Sequence, residues 1–118
     1  MKFKEEVITM LIDFEKIAAS VIHNFYGGEK ETEARMFFDG TNRIAYSTLA
    51  PGASVGMHLH DNGSEIVYVL KGRGMALYDG GTEELSPWLC HYCPKGHSHS
   101  IVNDGSEELI FLSVVPRQ

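Results

Sequence analysis

From about residue 33 onward, apolar and polar positions alternate in short blocks that are closed at regular intervals by turn-forming residues. The punctuation runs "DGTN" at 39–42, "APG" at 50–52, "DNGS" at 61–64, "KGRG" at 71–74, "DGG" at 79–81, "PKG" at 94–96 and "NDGSEE" at 103–108. Breaks recurring roughly every eight to twelve residues predict short strands joined by tight loops. The blocks between them, such as "IVYVL" at 66–70 and "LIFLSVV" at 109–115, are β-branched and aromatic, which suits a pleated, half-buried surface. The pattern therefore predicts an all-β fold, a sandwich or a barrel.

The first part of the chain follows a different period. Over residues 5–22, Val7, Leu11, Phe14, Ala18 and Val21 fall three or four apart, which predicts a short N-terminal helix packed on the core by one face. The β-branched run "VITMLI" suits a strand equally well. No function attaches to this segment.

Length and composition narrow the class. A chain of 118 residues without a compositional break is expected to form a single domain over residues 1–118. It buries about two-thirds of its unfolded surface, enough for a core without disulfides. Cys90 and Cys93 sit three apart, about 10 Å between Cα atoms in a strand, which is too far to bridge and points to a reducing, cytoplasmic setting. "MKFKEEVITMLIDF" has no cleavable leader pattern, and no apolar run nears the roughly eighteen residues of a membrane helix. A net charge of −6 with scattered Lys and Arg argues against a nucleic-acid partner.

The segment "GMHLHDNGSE" at 56–65 carries the candidate chemistry. In a strand, His58 and His60 share a face, their Cβ atoms about 7 Å apart, close enough for two imidazoles to meet on one ion. Glu65 has the wrong parity for an unbroken strand, but the "DNGS" turn resets it. Taken alone, the group also fits a half-exposed polar strand. The wider frame is more specific: Gly52, His58, His60, Glu65 and Gly72 follow G-x5-H-x-H-x4-E-x6-G, and Pro94, Gly96, His99 and Asn103 follow P-x-G-x2-H-x3-N.

These two motifs resemble those of the cupin family, over about residues 34–115. The resemblance implies a double-stranded β-helix (jelly-roll) barrel, metal ligands at His58, His60, Glu65 and His99, and assembly as a homodimer. It departs at one position: the family's second motif opens with a glycine separated from the proline by five residues, and Trp88 stands there. A packing role is expected for this indole, at one end of the barrel or on a pocket rim.

Three imidazoles and a carboxylate suit one divalent transition metal of the Fe, Mn, Ni, Co or Zn group, and the lack of thiolate ligands argues against Cu(I) or iron–sulfur. Four protein ligands leave positions open on an octahedral ion, whereas a structural zinc closes its shell. The expected function is metal-dependent chemistry on a small polar organic substrate: oxygenation, isomerisation, lyase chemistry or decarboxylation. The alternative is a barrel that binds or senses a small molecule without turning it over.

Other residues weigh less. His97 is expected to be an exposed turn residue, His91 a strand residue rather than a ligand, and His23 a histidine without partners. "CHYC" at 90–93 lacks the helix N-terminus that C-x-x-C redox chemistry requires, so both thiols are expected to be buried and unpaired, with room for one of them to line the cavity. Tyr46, Tyr68, Tyr78 and Tyr92 offer strand hydroxyls that could orient a substrate. Parity from Glu65 turns Val67 and Val69 inward and Tyr68 outward, and parity from His99 turns Ile101 and Asn103 inward. The wall around the site is thus expected to be mostly apolar, with the residues on the face opposite Glu65 (Ile66, Tyr68 and Leu70) available for a two-fold interface.

Overall fold

The computed structural model describes residues 10–118. Ten strands form two antiparallel sheets: β1 Ser20–His23, β2 Glu31–Phe38, β3 Asn42–Leu49, β4 Ser54–Leu59, β5 Glu65–Lys71, β6 Gly74–Tyr78, β7 Gly81–Leu85, β8 Cys90–Cys93, β9 Ser98–Val102 and β10 Leu109–Pro116. One sheet runs β1-β2-β3-β10-β5-β8 and the other β4-β9-β6-β7. Each turn expected from residue 39 onward falls between consecutive strands. The result is the jelly-roll barrel that the two motifs imply.

Alternation explains how the sheets close on each other. Along β10, Leu109, Phe111 and Ser113 are buried while Ile110, Leu112 and Val114 are half-exposed, and along β3 Ala45, Ser47 and Leu49 are the buried set. The core comprises Leu49, Val67, Val69, Ala76, Leu85, Ile101, Leu109 and Phe111, drawn from both sheets. Each large aliphatic side chain so buried stabilises the fold by about 1.5–3 kcal/mol. Asn103, fully buried as its parity requires, clamps the loop before β10 rather than facing a ligand. Its amide donates to the carbonyls of Leu49 and Glu107 at 2.8 Å each, and its Oδ1 accepts from the Gly105 N–H at 2.9 Å.

The N-terminal segment departs from the helical period. Residues 5–9 of the helix expected over 5–22 lie outside the described residues; beyond them, Phe14–Lys16 forms a single 3-10 turn and Ser20–His23 a strand. Tertiary contacts override the three-to-four spacing. Arg35 Nη1 donates to the carbonyls of Ile17 at 2.7 Å and Phe14 at 3.3 Å, while the Phe14 ring lies 5.9 Å from that of Tyr46 on the outer face of β3. Val21, one of the predicted core-facing residues, is exposed.

Trp88 also departs from expectation. It is 86 % exposed, in the turn between β7 and β8, and packs on no core. Its φ of +80° lies in the left-handed region, which explains why a glycine suits this position and shows that the turn survives the substitution.

Val67 is 0 % exposed, so Val67→Asp would bury an unpaired carboxylate. The expected loss is on the order of 3 kcal/mol or more, about 10 °C or more in Tm. Thr82→Asp, on an exposed stretch of edge strand β7, should stay within about 0.5 kcal/mol. Thermal melts followed by far-ultraviolet circular dichroism test the pair, and equal Tm values would contradict the inward orientation of Val67.

Candidate metal centre

Four elements deliver the candidate ligands. His58 lies on β4 opposite His99 on β9, and His60 and Glu65 flank the turn from β4 to β5. A bulge between Val55 and His58 shifts the parity of β4, so that Val55 stays in the core while His58 and His60 also turn inward. Beside this bulge the backbone is very tightly packed. A Cβ on Gly56 would sit 2.1 Å from the Tyr26 carbonyl oxygen, and one on Gly28 would sit 2.1 Å from that of Ser54, so both positions need glycine. The 3-10 turn Phe25–Gly27 thereby docks on β4 and stacks the Tyr26 ring on His58, with centroids 4.1 Å apart and planes at 10°.

The ligand atoms converge. The four side chains each offer one donor atom, all within 4.8 Å of one another. Glu65 Oε1 is 2.7 Å from His99 Nε2, 2.9 Å from His60 Nε2 and 3.8 Å from His58 Nε2, and His60 Nε2 is 3.0 Å from His99 Nε2. Neighbouring donors around an octahedral ion with bonds of about 2.1 Å are separated by about 3 Å, so the short distances match the edges of such a shell. His58 Nδ1 donates to the Gly56 carbonyl at 2.7 Å, which leaves Nε2 unprotonated and facing the group. The other carboxylate oxygen of Glu65 accepts from the Ser113 hydroxyl. Nitrogen and oxygen donors without sulfur, their lone pairs turned toward one point, fit a borderline divalent ion.

Electrostatics favour the ligating protonation states. Burial alone would raise the Glu65 carboxyl, but the surrounding imidazoles of His58, His60 and His99 hold it well below its usual range. Burial lowers the His99 imidazole, assisted by His58 and His60 and opposed by Glu65, so it remains neutral at pH 7.

The cavity lined by His58, His60 and Glu65, with His99 fully buried beside them, has a volume of about 40 Å³ and is walled by Ala34, Met36, Ala45, Val55, Ile101 and Phe111, the apolar surround that strand parity predicts. It adjoins a mouth of about 310 Å³; Tyr26, Arg43, His60 and Val115 line both spaces. Arg43 shares the inward parity of Ala45 and Ser47.

Several expected residues lie elsewhere. His97 is exposed in its turn, its Nδ1 3.6 Å from Asp79 Oδ2, and faces a second cleft of about 450 Å³ on the other side of His99. His23 is exposed beside Glu31, 3.3 Å away, and remote from the site. The cysteines are unpaired, but Cys90 is exposed, because on the edge strand β8 it takes the outward parity. Cys93 is buried toward the second cleft rather than the metal cavity, and burial with the charges of Glu65 and Asp79 pushes its thiol up to about 11. None of Tyr46, Tyr68, Tyr78 and Tyr92 lines the metal cavity; Tyr26, from the turn before β2, does.

His91 is a strand residue and not one of the four, yet it is not inert. It is buried, its Nε2 2.9 Å from His99 Nδ1 and its Nδ1 2.9 Å from Glu83 Oε1. The pairing Val67↔His91, which turns it inward, depends on a β5–β8 register that no local motif announces.

A family model described as the cupin domain matches residues 45–115. The chain is a cupin. A curated relative, the oxalate-binding protein of Thermotoga maritima, is 31 % identical over 112 residues, covering 90 % of this cupin and 93 % of the relative. A crystal structure described as a predicted oxalate decarboxylase, also from Thermotoga maritima, superposes with a TM-score of 0.86 at 31 % identity, covering 92 % of this cupin and all of that chain. The polyketide cyclase RemF from Streptomyces resistomycificus, at 24 % identity and a TM-score of 0.77 over 94 % of this cupin and 81 % of that chain, shares the fold.

The two shifted groups set how the metal-free cupin responds to acid. The folded pKa of His99 lies below its ordinary 6.5, so as the pH drops past 6.5 the unfolded chain takes up a proton that the folded one does not, and stability falls. Glu65 contributes stability above its ordinary 4.5, which is lost as the pH falls through its lower folded value. Urea midpoints measured in chelator should therefore decline from about pH 6.5 downward, more steeply below about 4.5. A midpoint that rises on acidification would contradict both assignments.

Proposed function

We propose that His58, His60, Glu65 and His99 bind one divalent transition metal and that the cavity above them takes a small carboxylate of the oxalate type. The observation that carries this is the convergence of four nitrogen and oxygen donors at the base of an apolar cavity whose other charged lining group, among the described residues, is Arg43. Three neutral imidazoles and one carboxylate leave a bound divalent ion a net charge of about +1, which favours an anionic ligand. Supplied there, such an ion polarises a carboxylate at its open positions.

The protein's own groups do the rest. Ser113 orients Glu65, the Gly56 carbonyl orients His58, and Tyr26 covers one face of that imidazole. Arg43, without an ion pair among the described residues, presents a fork of donors suited to a second carboxylate. The apolar wall excludes water and leaves no room for a bulky acid. The names of the two Thermotoga maritima relatives support oxalate as the first compound to examine.

Metal-dependent turnover of the bound acid is the enzymatic reading. A binding or sensing role is favoured by one observation: Glu65, committed to the imidazoles, is the only carboxyl lining the cavity among the described residues, so no separate carboxylic acid is placed there to move a proton.

Elemental analysis of protein purified without chelator should find close to one Fe, Mn, Ni, Co or Zn per chain, and His60→Ala and His99→Ala should each lose it. Calorimetric titration should show oxalate binding to the metal-loaded protein and not to the metal-free one, weakened about tenfold or more in Arg43→Leu. Formation of carbon dioxide, formate or peroxide that depends on Glu65 would establish an enzyme, whereas tight oxalate binding without product would establish the binding role. A wild type that takes up none of the five metals refutes the centre.

We also propose a homodimer through the outer face of the six-stranded sheet. Tyr46, Leu112 and Tyr68 form one cross-strand row there and Ile44, Val114, Ile66 and Tyr92 another, with Leu70 exposed nearby. Sedimentation velocity at micromolar concentration should give a dimer, and Leu112→Glu a monomer; a monomeric wild type excludes this interface.

A further inference from the structure

We infer that Glu83 and His91 are positioning residues for the metal centre: through two hydrogen bonds in series, the Glu83 carboxylate fixes which nitrogen of His99 is free to ligate. The inference rests on the proposed metal reading and extends it to a pair of residues that the cupin motifs do not specify.

Polarity is set from the outer end. A carboxylate only accepts hydrogen bonds, so the 2.9 Å contact from Glu83 Oε1 places a proton on His91 Nδ1. With its proton on Nδ1, the His91 ring offers a lone pair at Nε2, and the 2.9 Å contact with His99 Nδ1 requires a proton on that atom of His99. His99 Nε2 is thereby left as a bare lone pair, aimed at Glu65 Oε1 and His60 Nε2 at 2.7 and 3.0 Å. Acceptors held face to face at such distances repel unless a cation or a proton lies between them.

The geometry is rigid where it must be and open where it can be. His99 is 0 % exposed and His91 is buried, their rings stacked with centroids 5.1 Å apart and planes at 18°. Neither ring can rotate to exchange nitrogens without breaking both bonds. Glu83, by contrast, is 49 % exposed on edge strand β7, at the rim of the second cleft. His58 and Glu65 have their own anchors in the Gly56 carbonyl and the Ser113 hydroxyl. For His99 that task falls to a side-chain relay through the barrel wall.

Because a relay has a direction, it can be reversed. Glu83→Gln keeps an acceptor oxygen and should preserve the direction. Glu83→Lys presents a donor, which would drive the His91 proton to Nε2 and the His99 proton to the ligating nitrogen. Glu84→Lys changes charge equally on the adjacent exposed residue of the same strand and serves as control. The wild type and the three variants, all at exposed positions, are titrated with Zn²⁺ against a chelator. Nitrogen-15 correlation spectra of the imidazoles then report the tautomers of His91 and His99.

Loss of affinity is expected to be about 10–100-fold for Glu83→Lys, with Glu83→Gln and Glu84→Lys within about threefold of wild type. The Glu83→Lys spectra should show the His99 proton moved from Nδ1 to Nε2. Equal affinity for Glu83→Lys and Glu84→Lys, or unchanged tautomers, overturns the relay while leaving the metal site intact. A wild type that binds no Zn²⁺ and none of the other four metals removes the metal reading and the relay together.

Discussion

A carboxylate buried in an apolar barrel is the constraint on which the rest of this structure depends. Glu65 sits among Val67, Ile101 and Phe111, where an uncompensated charge is among the most expensive groups a small domain can carry. Three imidazoles and a serine hydroxyl surround it, and two of the imidazoles are in turn held from outside, His58 by the Gly56 carbonyl and His99 by His91. The β4 bulge, the glycine pair under Tyr26 and the inward turn of β8 all bring polar groups to that one carboxylate.

The same arrangement explains why the site is both stable and receptive. Apolar walls raise the worth of every hydrogen bond inside and deny competing water. They also mean that any ligand entering the cavity must satisfy the few polar groups present. A small acid able to reach the centre with one carboxylate and Arg43 with another meets that condition, and a large polar molecule does not. Function and fold are thus coupled through the scarcity of polar partners in the interior.

What the sequence made legible follows from the range of each interaction. Turn chemistry and strand parity are local, so "DNGS" and "KGRG" mark their loops, and Val67, Val69, Ile101 and Asn103 turn inward as alternation from Glu65 and His99 requires. The four ligand candidates come together because spaced motifs name them in advance. The misses are all matters of tertiary pairing. His91 owes its place to the β5–β8 register, and Tyr26 to a backbone approach between residues distant in sequence. The residues just beyond Phe14 follow Arg35 and Tyr46 rather than their own periodicity. Trp88 reverses the usual inference from an indole because the backbone of its turn, not its side chain, dictates the position.

The seam between the two sheets carries a kinetic consequence. β7 and β8 are edge strands of different sheets, each hydrogen-bonded along one side only, and the Glu83–His91 contact spans the gap between them. Edge strands open locally at a small fraction of the free energy of global unfolding. Whenever this seam breathes, His99 loses its outer support while His58 and Glu65 keep theirs. On the proposed metal reading, the residence time of an ion at the centre is tied to how often two edge strands part, a rate that surface changes along β7 and β8 can tune without touching any of the four candidate ligands.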